Sequence, residues 1–163
     1  MVLGLPIATF KLIYVCISLF AMFSGIMVVR DMRKMRPLGI WNPLFFASTV
    51  LTCAMGYLFP PGTFGPPQKV CSIALGLLAL ALFARYATRL NGLWRWIYGI
   101  CVVGALYLNV FMGITQAFER IEVLHRYAPK GTEPPLIAAQ VIVLLGFLVF
   151  GFIAASRFRS TGP

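Results

Sequence analysis

Apolar residues fill five long segments of this chain, and short polar or proline-rich stretches separate them. The segments span approximately residues 7–29, 43–59, 70–87, 96–118 and 136–155. Each is close to the roughly 17–25 residues with which a helix crosses the hydrocarbon core of a bilayer. The pattern predicts an all-α fold, a polytopic transmembrane helical bundle of five spans that forms a single domain over residues 1–163.

The second and third segments are the shortest and leave an alternative open. Between them lies LFPPGTFGPPQ, in which four prolines leave only a tight connection. The alternative is that these two segments form a tilted or re-entrant pair, or that the bundle has four spans plus one short or re-entrant segment. Local sequence suggests that Asn42 is the N-cap of the second helix and that Pro43 is its first residue. Asn91 and Gly92 are predicted to form the turn before the fourth segment.

Composition agrees with a membrane protein. The chain is 60% hydrophobic and 11% charged, and its mean hydropathy is +0.89. Soluble domains have roughly 45–50% apolar and about 25% charged residues. The formal net charge of +10 would suggest a nucleic-acid partner in a soluble protein. Here the basic residues cluster at the ends of apolar segments, so we expect no nucleic-acid partner.

The distribution of lysine and arginine predicts the orientation, because basic residues remain on the cytoplasmic side. The five-span arrangement places nine of them on one side and five on the other, so we expect the N-terminus outside and the C-terminus in the cytoplasm. The nine are Arg30, Arg33, Lys34, Arg36, Arg85, Arg89, Arg95, Arg157 and Arg159, and the five are Lys11, Lys69, Arg120, Arg126 and Lys130.

Three amide side chains form a polar intramembrane face. Asn109 and Gln116 are seven residues apart in the fourth segment, and Gln140 begins the fifth at a depth similar to that of Gln116. One interpretation is that these amides bond neighbouring helices, with Gln116 and Gln140 bonding each other. The other is that they line a path for a small polar solute.

An outer acidic collar follows the fourth segment. It consists of Glu119, Glu122, His125 and Glu133. The Glu122 and His125 spacing matches the Glu-x-x-His unit of di-iron bundles, but a site would need a second such unit from another copy. We therefore expect no bound metal, and no cofactor of another kind, because phosphate-binding loops and haem-ligand pairs are missing. All acidic residues lie at or beyond segment ends, which argues against an ion-coupled transporter.

Three further groups of residues bear on the interpretation: a basic loop, pairs of small residues, and four cysteines. The cytoplasmic basic loop of Arg30, Arg33, Lys34 and Arg36 would attract anionic lipid headgroups. Small residues four apart, such as Ala21 with Gly25 and Ser72 with Gly76, favour close helix packing. Cys16, Cys53, Cys71 and Cys101 are interpreted as small apolar core residues. A Cys53–Cys71 bridge is disfavoured because their depths are expected to differ by about two helical turns.

Two segments, YLNVFMGITQAF and APKGTEPPLIAAQ, carry a resemblance. They resemble the C-terminal half of a group of small uncharacterised bacterial inner-membrane proteins, over about a third of this chain. The matching residues are Tyr107, Leu108, Asn109, Gln116, Phe118, Ala128, Pro129, Glu133, Pro134, Pro135 and Gln140. The resemblance implies a bacterial cytoplasmic (inner) membrane and no particular activity.

These observations favour a non-enzymatic membrane protein. We expect an accessory or assembly subunit that acts by helix packing with another membrane protein or with a second copy of itself. The alternative is a small channel or facilitator for a small polar solute, with a path lined by Asn109, Gln116 and Gln140. A third, enzymatic alternative would need a metal at Glu119, Glu122 and His125.

Overall fold

Five helices make up the described part of the chain, with no strand among them. The computed structural model describes residues 7–34, 39–57, 66–120, 122, 126 and 134–157. The helices, numbered here in chain order, are α1 (Ile7–Arg33), α2 (Trp41–Tyr57), α3 (Pro66–Tyr86), α4 (Leu93–Arg120) and α5 (Pro134–Arg157). Each predicted apolar segment corresponds to one helix, so the all-helical prediction is confirmed.

Four helices, α1, α3, α4 and α5, are long and apolar enough to cross a membrane. Their apolar parts have mean hydropathies between 1.6 and 2.7. The bundle is therefore compatible with an integral membrane protein. The remaining helix, α2, has 17 residues, which corresponds to a length of about 25 Å against a hydrocarbon core of about 30 Å.

Ends of all five helices meet at one end of the bundle. Four contacts establish this: the Tyr98 hydroxyl with Asn42 Oδ1 (2.5 Å), Phe83 with Trp94 (5.5 Å between ring centroids), Trp96 with Phe152 (6.3 Å), and the Arg33 guanidinium with the Phe150 ring (5.4 Å). We call this the basic end, because the helix ends and turns here carry Arg30, Arg33, Lys34, Arg85, Arg89 and Arg95.

Helix α2 runs from the basic end to the opposite end. Near its start, Asn42 Oδ1 accepts a hydrogen bond from the Tyr98 hydroxyl of α4 at the basic end. At its last residue the Tyr57 hydroxyl donates to the Gln68 carbonyl, 3.3 Å away at the start of α3. The Tyr57 and Ser72 hydroxyls also bond each other. Helices α2 and α3 are therefore antiparallel neighbours along the bundle.

Gly25 marks the place where α1, α2 and α4 approach most closely. A Cβ atom there would lie 2.6 Å from Leu106 Cδ1 and 2.8 Å from Phe45 Cε2. Both neighbours are buried, so a larger residue would force the helices apart. By contrast, nothing lies within 4 Å of a Cβ on Gly76, so Gly76 does not mark a close helix contact, although Ser72 bonds Tyr57 of α2.

The turn between α3 and α4 uses left-handed backbone at three positions. Gly92 has φ 55°, as the predicted Asn91–Gly92 turn requires, but Arg89 and Leu90 also have positive φ, at 49° and 58°. The Leu90 amide donates to the Ala84 carbonyl at 3.2 Å, which closes the end of α3. This tight turn keeps α3 and α4 adjacent and antiparallel.

Candidate functional site

Asn109 lies in the interior and joins two helices. Its Nδ2 donates to Thr49 Oγ1 of α2 at 3.1 Å. Asn109 is 6% exposed and Thr49 is fully buried. An amide and a hydroxyl that would be costly to leave unpaired in an apolar interior therefore satisfy each other.

Gln140 makes a second polar contact, between α5 and α4. Its Nε2 donates to Thr115 Oγ1 at 3.1 Å, and both residues are half-buried. The side chain of Gln116 lies outside the described residues, so the predicted Gln116–Gln140 bond stays a prediction. The described partner of the Gln140 amide is a threonine hydroxyl that the sequence reasoning did not single out.

A third polar contact lies at the basic end, and sequence reasoning missed it. The Tyr98 hydroxyl of α4 donates to Asn42 Oδ1 at 2.5 Å, with both residues buried. The Arg85 guanidinium of α3 lies close to the Tyr98 hydroxyl. The prediction that Asn42 caps α2 is wrong, because the helix already includes Trp41 and the Asn42 side chain bonds α4 instead. A buried tyrosine flanked by basic residues is the signal that could have indicated a partner of this kind.

Cys53 and Cys71 lie side by side between α2 and α3. Their side chains are in hydrogen-bonding contact, and with Ala74 they form one buried cluster. The expected difference in depth is therefore wrong, because α2 and α3 are antiparallel neighbours. All four cysteines are free thiols, and Cys16 is exposed on α1 rather than buried in the core.

Of the outer acidic collar, the structure describes only the Glu122 side chain. It is largely exposed and lies 4.0 Å from the Arg126 guanidinium. The Glu119 side chain, His125 and Glu133 lie outside the described residues. In the part of the chain that is described, no three His, Cys, Asp or Glu side chains are grouped so that they could hold a metal ion.

The basic loop that the sequence predicts to be cytoplasmic begins on the last turn of α1. Arg30, Arg33 and Lys34 are exposed at the basic end, whereas Arg36 lies outside the described residues. Arg30 Nη1 lies 3.7 Å from the Met27 sulfur, a weak contact that leaves most of its donors free for other groups. The described residues thus present a concentrated positive charge at this end.

Two grooves flank the contact between α4 and α5. A Cβ on Gly151 would lie 2.6 Å from Val103 Cγ1, so the two helices touch here. On one side lies the aromatic groove, about 380 Å³, whose large lining residues are Trp96, Tyr107, Phe147 and Phe152. On the other side, where α1 joins, lies the arginine groove, about 220 Å³, lined by Ile26, Val29, Arg30, Arg33, Leu106 and Phe150 among others. Asn109 lines neither groove.

Hydrogen bonds between side chains join neighbouring helices in the described interior. Asn109, Tyr98 and Gln140 each donate to a side chain on another helix. Ser48 and Thr52 instead donate to carbonyl oxygens of their own helix, at 2.7 and 2.8 Å. The open spaces are apolar and face outward, and one of them carries two arginines at its rim.

No protein-family model matches this chain, and no curated protein or solved structure matches it.

Proposed function

We propose that this chain is a non-enzymatic integral membrane protein, an accessory or assembly subunit that acts by helix packing in a larger membrane complex. The observation that carries the proposal is the use of the interior polar groups. Asn109, Tyr98 and Gln140 each bond a neighbouring helix rather than lining an open cavity. Such an interior stabilises a bundle and leaves contact through the outer faces as the means of action.

The outer face of α5 is the contact surface in this proposal. Ile142 and Leu145 are 69% and 57% exposed, and Leu136, Gly151 and Ala154 are the only buried residues described between Pro134 and Ala154. The adjacent aromatic groove adds Trp96 and Phe152, side chains that are frequent at interfaces. The partner is another membrane protein or a second copy of this chain.

Photocrosslinking within the native membrane tests this role. A photoreactive residue at Ile142 or at Leu145 should give the same discrete protein adduct, since both positions face outward on α5. The matched controls are Ile73 and Leu80, which are 57% and 42% exposed on α3. Lipid adducts alone from all four positions, together with a monomer in mild detergent, would remove the accessory role.

The proposed topology has five spans in a bacterial inner membrane, with the basic end in the cytoplasm. The course of α2 between the two ends of the bundle supports a full crossing, because Asn42 and Tyr57 contact partners at opposite ends. The excess of basic residues at one end supports the orientation.

Cysteine labelling tests this topology. In a variant whose native cysteines are replaced by alanine, Glu122→Cys should react with an impermeant maleimide in intact cells. Arg89→Cys should react only after the membrane is opened. The reverse result would show that the orientation is wrong.

The channel alternative, with its path along Asn109, Gln116 and Gln140, has a direct test of its own. Asn109→Leu and Gln116→Leu should each lower thermal stability in detergent if the amides bond helices. A change in solute flux through liposomes at unchanged stability would instead favour a channel. The bond from Asn109 to Thr49 supports the structural interpretation.

A further inference from the structure

We propose that the arginine groove binds one molecule of an anionic phospholipid, with the phosphate at Arg30 and Arg33 and one acyl chain between α1 and α5. This inference rests on the proposed membrane placement of the chain. It is independent of the accessory role, because the groove lies within a single copy.

The apolar part of the groove suits a lipid chain. Ile26 and Val29 of α1 face Phe147 and Phe150 of α5, and Leu106 of α4 forms part of the floor. Ile26 and Phe150 are 51% and 53% exposed, so the groove opens sideways to the bilayer. In a bilayer, the apolar molecule that is available to fill such a groove is a flexible lipid acyl chain.

The polar part lies at the cytoplasmic rim in the proposed orientation. Arg30 and Arg33 are three residues apart on α1, so they share one face and both line the groove. The Arg33 guanidinium lies 5.4 Å from the centroid of the Phe150 ring, which holds it against the mouth. Guanidinium groups bind phosphate oxygens through charge-assisted hydrogen bonds.

Charge at the rim is not neutralised by the protein. Within the described ranges, neither Arg30 nor Arg33 has a carboxylate at salt-bridge distance. Asp31 lies between them in sequence but does not line the groove. Arg30 and Arg33 therefore favour a lipid with net negative charge over a zwitterionic one, whose ammonium group they would repel.

The aromatic groove provides an internal comparison. It flanks the same contact of Val103 with Gly151, and none of the residues that line it is charged. It could accept an acyl chain, but it has no group that distinguishes one headgroup from another. Selectivity for an anionic headgroup should therefore depend on the two arginines alone.

The test is native mass spectrometry of the detergent-purified chain, titrated with phosphatidylglycerol or phosphatidylcholine of identical acyl chains. We expect the first adduct of the wild-type protein to prefer phosphatidylglycerol. Arg30→Gln with Arg33→Gln should weaken this adduct roughly 30-fold, since each arginine near an anionic headgroup contributes about 1 kcal/mol. Both side chains are exposed, so the pair of substitutions should leave the fold intact.

The matched charge control is Lys34→Gln with Arg89→Gln. Both are exposed cations at the basic end that do not line the groove. This control removes the same charge and should keep the preference. If it weakens the phosphatidylglycerol adduct as much as the Arg30 and Arg33 pair does, the site is only diffuse attraction and the proposal is overturned.

A second pair of variants tests the acyl chain. Ile26→Trp fills the groove and should weaken the adduct, whereas Leu19→Trp, at a 58% exposed position of α1 outside the groove, should not. Glycerol phosphate at the same concentration should not compete, because it lacks the chain. Effective competition by glycerol phosphate would show a site for free phosphate and would overturn the lipid assignment. Equal effects of the two tryptophan variants would also overturn it.

Discussion

Helices α2 and α5 differ in a way that reverses the usual relation between hydrophobicity and burial. The most apolar 18-residue stretch of α5, within Pro134–Ala154, has a mean hydropathy of 2.7, the highest among the four long apolar helices, yet only 11% of its residues are buried. Helix α2 buries nine of its 17 residues, and four of the nine are Asn42, Ser48, Thr49 and Thr52. The most apolar helix lies outside, and a helix with several polar residues lies inside.

The proposed membrane placement, in which lipid is the solvent of the outer faces, explains this reversal. Outside the bundle, leucine and isoleucine meet acyl chains that are as apolar as they are, so exposure costs little. Polar side chains would be costly in lipid and are therefore turned inward, where Thr49 can accept from Asn109 and Asn42 from Tyr98. Packing and hydrogen bonds, rather than exclusion of water, are expected to determine how strongly each helix is held.

The largest expected effect comes from removing a packed ring in α2. Phe45 is fully buried, and Phe45→Ala should lower the free energy of unfolding by about 2–4 kcal/mol, mainly through the cavity that it leaves. Phe152 of α5 is 68% exposed, and Phe152→Ala should cost about 1 kcal/mol or less because its contact with Trp96 is peripheral. Denaturation in mixed micelles, followed by circular dichroism, measures both. Equal losses of unfolding free energy would mean that α2 and α5 are equally buried, which would contradict the difference between the two helices.

The next effect comes from adding bulk where helices touch. Gly25→Leu should destabilise the bundle by about 1–3 kcal/mol, because Leu106 and Phe45 occupy the space that the side chain needs. The matched control is Gly146→Leu in α5, where nothing lies within 4 Å of a Cβ. It should be neutral in the same thermal melts in detergent. A destabilising Gly146→Leu would reveal a partner already packed on α5.

A smaller effect is expected for the bond that joins α4 to α2. Asn109→Leu, Thr49→Val and the double variant form a double-mutant cycle, since each removes one partner of a 3.1 Å hydrogen bond. The coupling free energy should be about 0.6–2 kcal/mol. A coupling of zero would mean that Asn109 and Thr49 act independently and would reopen the solute-path interpretation of Asn109.

The smallest effect is expected at the polar contact of α5. Gln140 donates to Thr115 from a half-buried position. Gln140→Leu should cost about 0.5 kcal/mol, because the lost bond is partly offset by the good fit of leucine to lipid. Thermal melts of Gln140→Leu and Asn109→Leu in the same detergent rank the two losses of stability. A larger loss at Gln140 than at Asn109 would contradict the peripheral placement of α5.

Local pattern was enough for some features of the fold and the site. The segments near 7–29 and 96–118 correspond to α1 and α4, because the length of an apolar run needs no knowledge of neighbours. The same holds for the basic clusters and for Gly92 in its turn. Partners could not be read in this way. The contacts of Thr49 with Asn109 and of Cys53 with Cys71 depend on which helices are adjacent and on their rotation, and one sequence contains no signal for either.

The sequence alone determined a chain of apolar helices with arginines at their ends, because burial in lipid requires internal backbone bonds and long apolar stretches wherever the helix lies in the bundle. Tertiary structure alone decided which of these helices became the interior. It gave that place to α2 and left α5 outside, because lipid does not distinguish apolar helices from one another. What places α2 in the interior is close packing at Gly25 and the hydrogen bonds that Thr49 and Asn42 make with α4.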